Sequence, residues 1–225
     1  PKCTYVKNFY RQLMLLFILY VPQSLIENGN VLKILYPAAF SENYILPYIK
    51  LEIGPLAAWQ PHETYKIKSY AAEMFPELFS SPDAEVRSIK AERTFWEKIT
   101  ILHQEAHRPE SSPQPHGYSR HYYDVFQLAE SNVKDSALSD LSLFREVVDF
   151  KKKFYPRFWA RYDLAVPGTI RLYPPEHVLH SLAKDYVQMH IMIYGQYPDF
   201  EVMINRIKLL EVELNRLTFP DEARH

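Results

Sequence analysis

Apolar positions recur in two rhythms along this chain, and the change falls near residue 90. Before it, short runs rich in β-branched and aromatic residues alternate with turn residues. Val31–Tyr36 (V-L-K-I-L-Y) stops at Pro37, and Tyr44–Ile53 (Y-I-L-P-Y-I-K-L-E-I) is closed by Gly54-Pro55. Both read as strands, with Asn28-Gly29-Asn30 as the turn ahead of the first. Tyr65–Tyr70 and Val86–Lys90 are expected as two further short strands. From Ala91 the period becomes helical: Phe95, Ile99, Leu102 and Ala106 form one apolar stripe with Lys98 at its edge. Pro109, Pro113 and Pro115 make residues 107–118 a stiff loop. Ser119 suits the N-cap of a second helix that buries Tyr122, Val125, Phe126 and Ala129. A helix over 136–154 and a short extended piece at Thr169–Tyr173 come next. Helices over 176–193, with Gly195 as C-cap, and 200–217 then read as a hairpin. The predicted fold is α+β: a mixed sheet covered on at least one face in residues 1–105, then a helical bundle in 106–225.

The first thirty residues add one ambiguity. Leu13–Val21 is an apolar run behind Lys2, Lys7 and Arg11, the outline of a signal peptide. Nine residues fall short of the ~20 that a membrane span needs. No small-residue cleavage site follows, so residues 5–21 are expected as a buried helix stopped near Pro22, with no membrane partner. Cys3 is the single cysteine, which excludes an internal disulfide framework and fits a reducing cytoplasm. Only 5 glycines are present and no P-loop or dinucleotide fingerprint is among them. A net charge of -1 restricts any nucleic-acid contact to a local patch.

Several side chains can carry chemistry. Glu52 shares a strand face with Lys50, so it reads either as a surface carboxylate or as a magnesium ligand aimed at a cleft. Arg93 and Glu97 lie four residues apart, as do Arg120 and Asp124. Taken alone each pair is a solvated helix face. A functional reading requires both helices to turn Arg93, Lys98, Arg120, His121 and Asp124 into one cleft. His103 and His107 have zinc-ligand spacing in H-Q-E-A-H, but the glutamate is misplaced for a metalloprotease. Phe144–Tyr162 interleaves aromatic residues with Lys151, Lys152, Lys153 and three arginines. That composition fits single-stranded nucleic acid or, equally, a helix with a buried aromatic face and a basic solvated one.

The string A-E-R-T-F-W-E-K-I-T-I-L-H followed by S-R-H-Y-Y-D resembles the AbiEii/AbiGii-type nucleotidyltransferase toxin family. L-Y-P-A-A-F, L-E-I-G, G-T-I-R-L-Y-P-P-E, D-Y-V-Q-M and M-I-Y-G continue the likeness over residues 31–217. The resemblance implies a polymerase-β-like domain with a helical C-terminal domain. It further implies nucleotide transfer from an NTP with Mg²⁺ or Mn²⁺, often onto tRNA, and a cognate antitoxin. It gives Glu52 as a metal carboxylate, Lys98 as the lysine that steadies the triphosphate, and Asp124 as the acid of a late R-D-x-x-D-type motif. Arg93, Arg120, His121, Lys151, Lys152 and Lys153 would then contact substrate. His121 stands where that motif has its first acid. The family's Gly-Gly-Ser/Thr turn and Asp-x-Asp metal pair are absent from the sequence. The chain is therefore expected to be the family's C-terminal two-thirds, inactive by itself. The alternative is a non-catalytic module that binds RNA or a protein partner.

Overall fold

A computed structural model describes residues 24–28, 31–36, 45–52 and 60–219. The chain divides into two compact units, residues 1–57 and 58–225. The helix expected over 5–21 lies outside the described residues.

The first unit holds a three-stranded antiparallel sheet, β1 (Ser24–Asn28), β2 (Val31–Leu35) and β3 (Tyr48–Glu52), with β2 central. Leu32 faces Leu51 and Ile34 faces Ile49, whereas Lys33 faces Lys50 and Val31 faces Glu52. The second unit begins with a two-stranded antiparallel ribbon, β4 (His62–Lys68) and β5 (Asp83–Ile89), joined through the short helix α1 (Tyr70–Met74). The class is α+β, as the sequence predicts. The strands nevertheless form two separate antiparallel sheets among the described residues, and the expected mixed sheet is corrected. A parallel pair needs a crossover of about a dozen residues or more. Only two residues separate β1 from β2, which forces the antiparallel sense. β1 escapes the sequence reading because its five residues carry no alternating pattern. β4 and β5 are longer than expected because a ribbon wet on both faces pairs through its backbone, without an apolar side to mark its ends.

The bundle is built on α2 (Ala91–Ala106). Phe95, Trp96, Ile99 and Leu102 are fully buried, and α2 packs against α3 (Ser119–Ala129), α4 (Asn132–Leu138) and α5 (Leu141–Phe154). Trp96 stacks on Phe144 of α5 with ring centroids 4.4 Å apart. The helix expected over 136–154 is two helices, because Asp140 Oδ1 accepts from the amides of Ser142 and Leu143 and starts α5 afresh. The last two helices are α6 (Glu176–Met189) and α7 (Phe200–Asn215). Each packs on α3, and Tyr186 of α6 meets Phe200 of α7 with ring centroids 5.9 Å apart. No helix among the described residues is long and apolar enough to cross a membrane.

Two loops are held by side chains in place of backbone ladders. The extended piece expected at 169–173 forms no strand. Its amides are met by Asn215 Oδ1 at Ile170, by His103 Nδ1 at Arg171, and by Glu211 Oε2 at Leu172 and Tyr173. The start of α3 is met from another helix. Ser119 is its first residue and not its N-cap; Asp185 of α6 accepts from Gly117 N at 2.7 Å and Ser119 N at 2.9 Å. Burial works against the charge of Asp185, but these bonds outweigh it and the carboxyl titrates below its usual range. Replacing Asp185 by Ala should cost about 1–2 kcal/mol, the value of a lost helix cap. The urea midpoint of Asp185→Ala against the parent measures this, and an unmoved midpoint would remove Asp185 from the account of how α3 starts.

Candidate functional site

α2 and α3 meet along one polar seam. Lys98 Nζ on α2 donates to Asp124 Oδ2 on α3 at 2.6 Å and lies 3.1 Å from His121 Nδ1. Asp124 and His121 are three residues apart, so α3 presents both on one face. The same helix buries Tyr122 and Val125 on its other side. An ammonium carries three N–H groups, and two of those of Lys98 are engaged among the described residues.

A third helix contributes Lys151. It follows buried Val147 by four residues and buried Phe144 by seven, which turns it inward on α5. Burial lowers its pKa, Arg93 and Lys98 lower it further, and Glu97 opposes them. His121 is pushed down to about 3, by burial first and then by Lys98, Arg120 and Lys151. It is a neutral imidazole at physiological pH, with Nδ1 as acceptor toward Lys98 and the proton on Nε2. The seam therefore gathers Arg93, Lys98, Arg120 and Lys151 against Glu97 and Asp124 around an uncharged His121. Cations outnumber carboxylates locally in a chain whose net charge is -1. Such a surplus beside a partly desolvated lysine attracts a multiply charged anion.

The structure sorts the other expected residues. Arg93 is only 3% exposed and already committed, to Glu97 Oε1 at 3.1 Å and to Gln60 O at 2.5 Å. It anchors the base of the β4–β5 ribbon to α2 and supplies charge to the seam, with little surface for direct contact. Arg120 is exposed beside the seam. Lys152 and Lys153 are exposed and turned away from Lys151 by the helical period; Lys152 Nζ is 3.9 Å from Asp149. Glu52 lies in the first unit, on the Lys50 face of β3, and its exposed carboxylate pairs with Lys50 at 2.5 Å. The histidines do not converge on a metal. His103 is buried and neutral, donating from Nε2 to Arg161 O and accepting Arg171 N at Nδ1; His107 Nδ1 bonds to His103 O. His116 lies 2.7 Å from Gln188 Oε1. Sequence reasoning placed Lys151 with its two lysine neighbours; its spacing from Phe144 and Val147 is the signal that separates it from them.

Nucleotidyltransferases commonly employ a divalent metal. Among the described residues no group of three or more His, Cys, Asp or Glu side chains can hold an ion. Asp124 and Glu52 each carry a lysine instead.

Two neutral histidines, His103 buried and His121 half-buried, set an acid limit on stability. His103 titrates at about 4, lowered chiefly by burial, and His121 at about 3, against an unfolded value near 6.5. Below about pH 6.5 the unfolded chain binds protons that the folded chain refuses, so stability falls as pH drops. Melting temperature should therefore decline from about pH 7 to about pH 5, above the carboxylate range, and His121→Gln should decline less. A flat profile for the parent would contradict the neutral assignments of both histidines.

Among families of known proteins, the model described as nucleotidyl transferase AbiEii toxin, type IV TA system, matches residues 10–206. No curated protein and no solved structure matches the chain. The match spans both units and includes the whole Lys98 seam. The chain belongs to the AbiEii nucleotidyltransferase toxin family of type IV toxin–antitoxin systems.

Proposed function

We propose that the Lys98 seam is the triphosphate-binding part of a nucleotidyltransferase site, acting on an NTP with an acceptor such as tRNA. The observation that carries this reading is the surplus of cations around Lys98, with His121 held neutral beside it. Asp124 and His121 fix the ammonium of Lys98 in place, so that its remaining N–H meets a phosphate oxygen with little reorganisation. Lys151 and Arg120 add charge from the flanks, and Arg93 holds Glu97 so that its carboxylate stays off Lys98. Neutral His121 in place of the motif's first acid raises the local positive charge by one relative to a carboxylate. Lys152 and Lys153 face outward, where an RNA backbone can reach them. The family implies a cognate antitoxin as partner; we place the protein in the cytoplasm, in keeping with its single cysteine.

A second reading, a non-catalytic module that binds NTP, RNA or a partner, is favoured by a specific pair of facts. No Asp-x-Asp occurs anywhere in the sequence, and the carboxylates Glu52 and Asp124 are both engaged by lysines. On this second reading the chain binds NTP without transferring its nucleotide. Lys98→Ala should weaken NTP binding by about ten- to a hundred-fold, the value of one or two charge-assisted hydrogen bonds. Equilibrium binding of each NTP tests this, alongside incubation with labelled NTP, Mg²⁺ or Mn²⁺ and total tRNA. Absence of NTP binding by the parent would overturn the phosphate reading. Label transfer that vanishes in Lys98→Ala would show instead that the chain is catalytically complete.

A further inference from the structure

The C-terminal end of α5 exposes what a helix end normally hides. Every residue from Lys152 to Phe158 is exposed, and three of the seven are aromatic: Phe154, Tyr155 and Phe158, the last at 93% exposure. A single exposed ring is ordinary, but three within five positions make a patch that calls for a partner. The rings are not left to water alone. Lys151 Nζ lies 5.1 Å from the centroid of Tyr155, and Lys153 Nζ lies 5.2 Å from that of Phe154. Arg157 continues the alternation over Trp159 at 5.7 Å. Pro156 ends the helix and stiffens the segment, so the rings stand on a backbone with little freedom to lose.

Flat π faces interleaved with cations match one kind of ligand: an unpaired nucleic-acid strand, whose bases stack on rings while its phosphates meet Lys and Arg. The core of a protein interface is depleted of lysine, whereas this segment carries Lys152 and Lys153 beside its rings. A duplex cannot use the rings, because its bases are stacked on one another. The patch is also continuous with the anion seam. Lys151 belongs to both: it feels Arg93, Glu97 and Lys98 on one side and sits against Tyr155 on the other.

We propose that Lys152–Phe158 is a stacking platform for the unpaired end of an RNA acceptor, which it leads toward Lys98. This rests on the nucleotidyltransferase reading and adds to it the acceptor's subsite and single-stranded character. Phe158 is the residue on which the test turns, because its exposed side chain can be replaced without disturbing the core.

Anisotropy of the full chain with a short labelled single-stranded RNA, and with the same RNA annealed into a duplex, measures the platform. The parent should prefer the single strand. Phe158→Ala should weaken that binding by about ten-fold, the order of one lost base stack, and Phe158→Trp should restore it. The salt dependence should be unchanged in Phe158→Ala and flattened in the double variant Lys152→Glu, Lys153→Glu. NTP binding measured on Phe158→Ala separates the two ideas: it should equal the parent's, whereas its absence in the parent condemns the Lys98 reading and not the platform. The platform is overturned if Phe158→Ala binds RNA as the parent does, if duplex binds as well as single strand, or if no RNA binds. Self-association of the parent that Phe158→Ala abolishes would also overturn it, by giving the patch to a second copy.

Discussion

Burial of α2 is the constraint on which the second unit depends. Phe95, Trp96, Ile99 and Leu102 are withdrawn from water entirely, and α3, α4 and α5 each cover part of that surface. Each such side chain contributes roughly 2–3 kcal/mol by leaving water, so the helix cannot rotate without exposing a ring or a branched chain. That rigidity is what gives Lys98 a fixed position at the edge of the stripe. A lysine with four rotatable bonds on a loose helix would sample solvent. Here it is delivered to Asp124 and His121 with its stem against a packed face.

Around this core, polar side chains do the work that backbone ladders do elsewhere. Glu211 and Asn215 on α7 and His103 on α2 receive the amides of residues 170–173, so a strand-like segment persists without a sheet. Asp185 on α6 receives the amides that open α3, and Asp140 opens α5. Buried amides left without acceptors would each cost about 1–3 kcal/mol. These residues therefore bind the helices together through the ends of elements, where packing alone has least hold. The cross-link from α6 to the start of α3 also fixes the first turn of the helix that carries Arg120, His121 and Asp124.

The electrostatics of the seam follow from the same geometry. Bringing Lys98, Lys151 and Arg120 toward one partly desolvated imidazole makes protonation of His121 unfavourable, and the site stays cationic without a fourth neighbouring charge. A carboxylate in that position would neutralise the surplus. The imidazole accepts a hydrogen bond from Lys98 as a carboxylate does, but leaves the positive charge uncancelled. Arg93 illustrates the opposite use of a cation: nearly inaccessible, it is spent on Glu97 and on the backbone at Gln60.

Local pattern determined the main helices of this chain, though not the break at Asp140 or the short α1, because a 3.6-residue stripe such as Phe95, Ile99, Leu102 and Ala106 has one way to leave water. It also determined the strand alternation that puts Glu52 beside Lys50, and the family, whose long strings in residues 91–124 are specific. Spacing placed Lys98, His121 and Asp124 on two helix faces, but could not show that those faces meet. Tertiary packing decided that, and it also separated Lys151 from Lys152 and Lys153 by burying one side of α5. The exposed β4–β5 ribbon was only half legible, since pairing through the backbone leaves little trace in side-chain pattern. Asp185, Glu211 and Asn215 were not legible at all. Their roles lie in amides contributed by segments about 40 or more residues away, and no local rule reports which carboxylate or amide a fold will carry to a distant N–H.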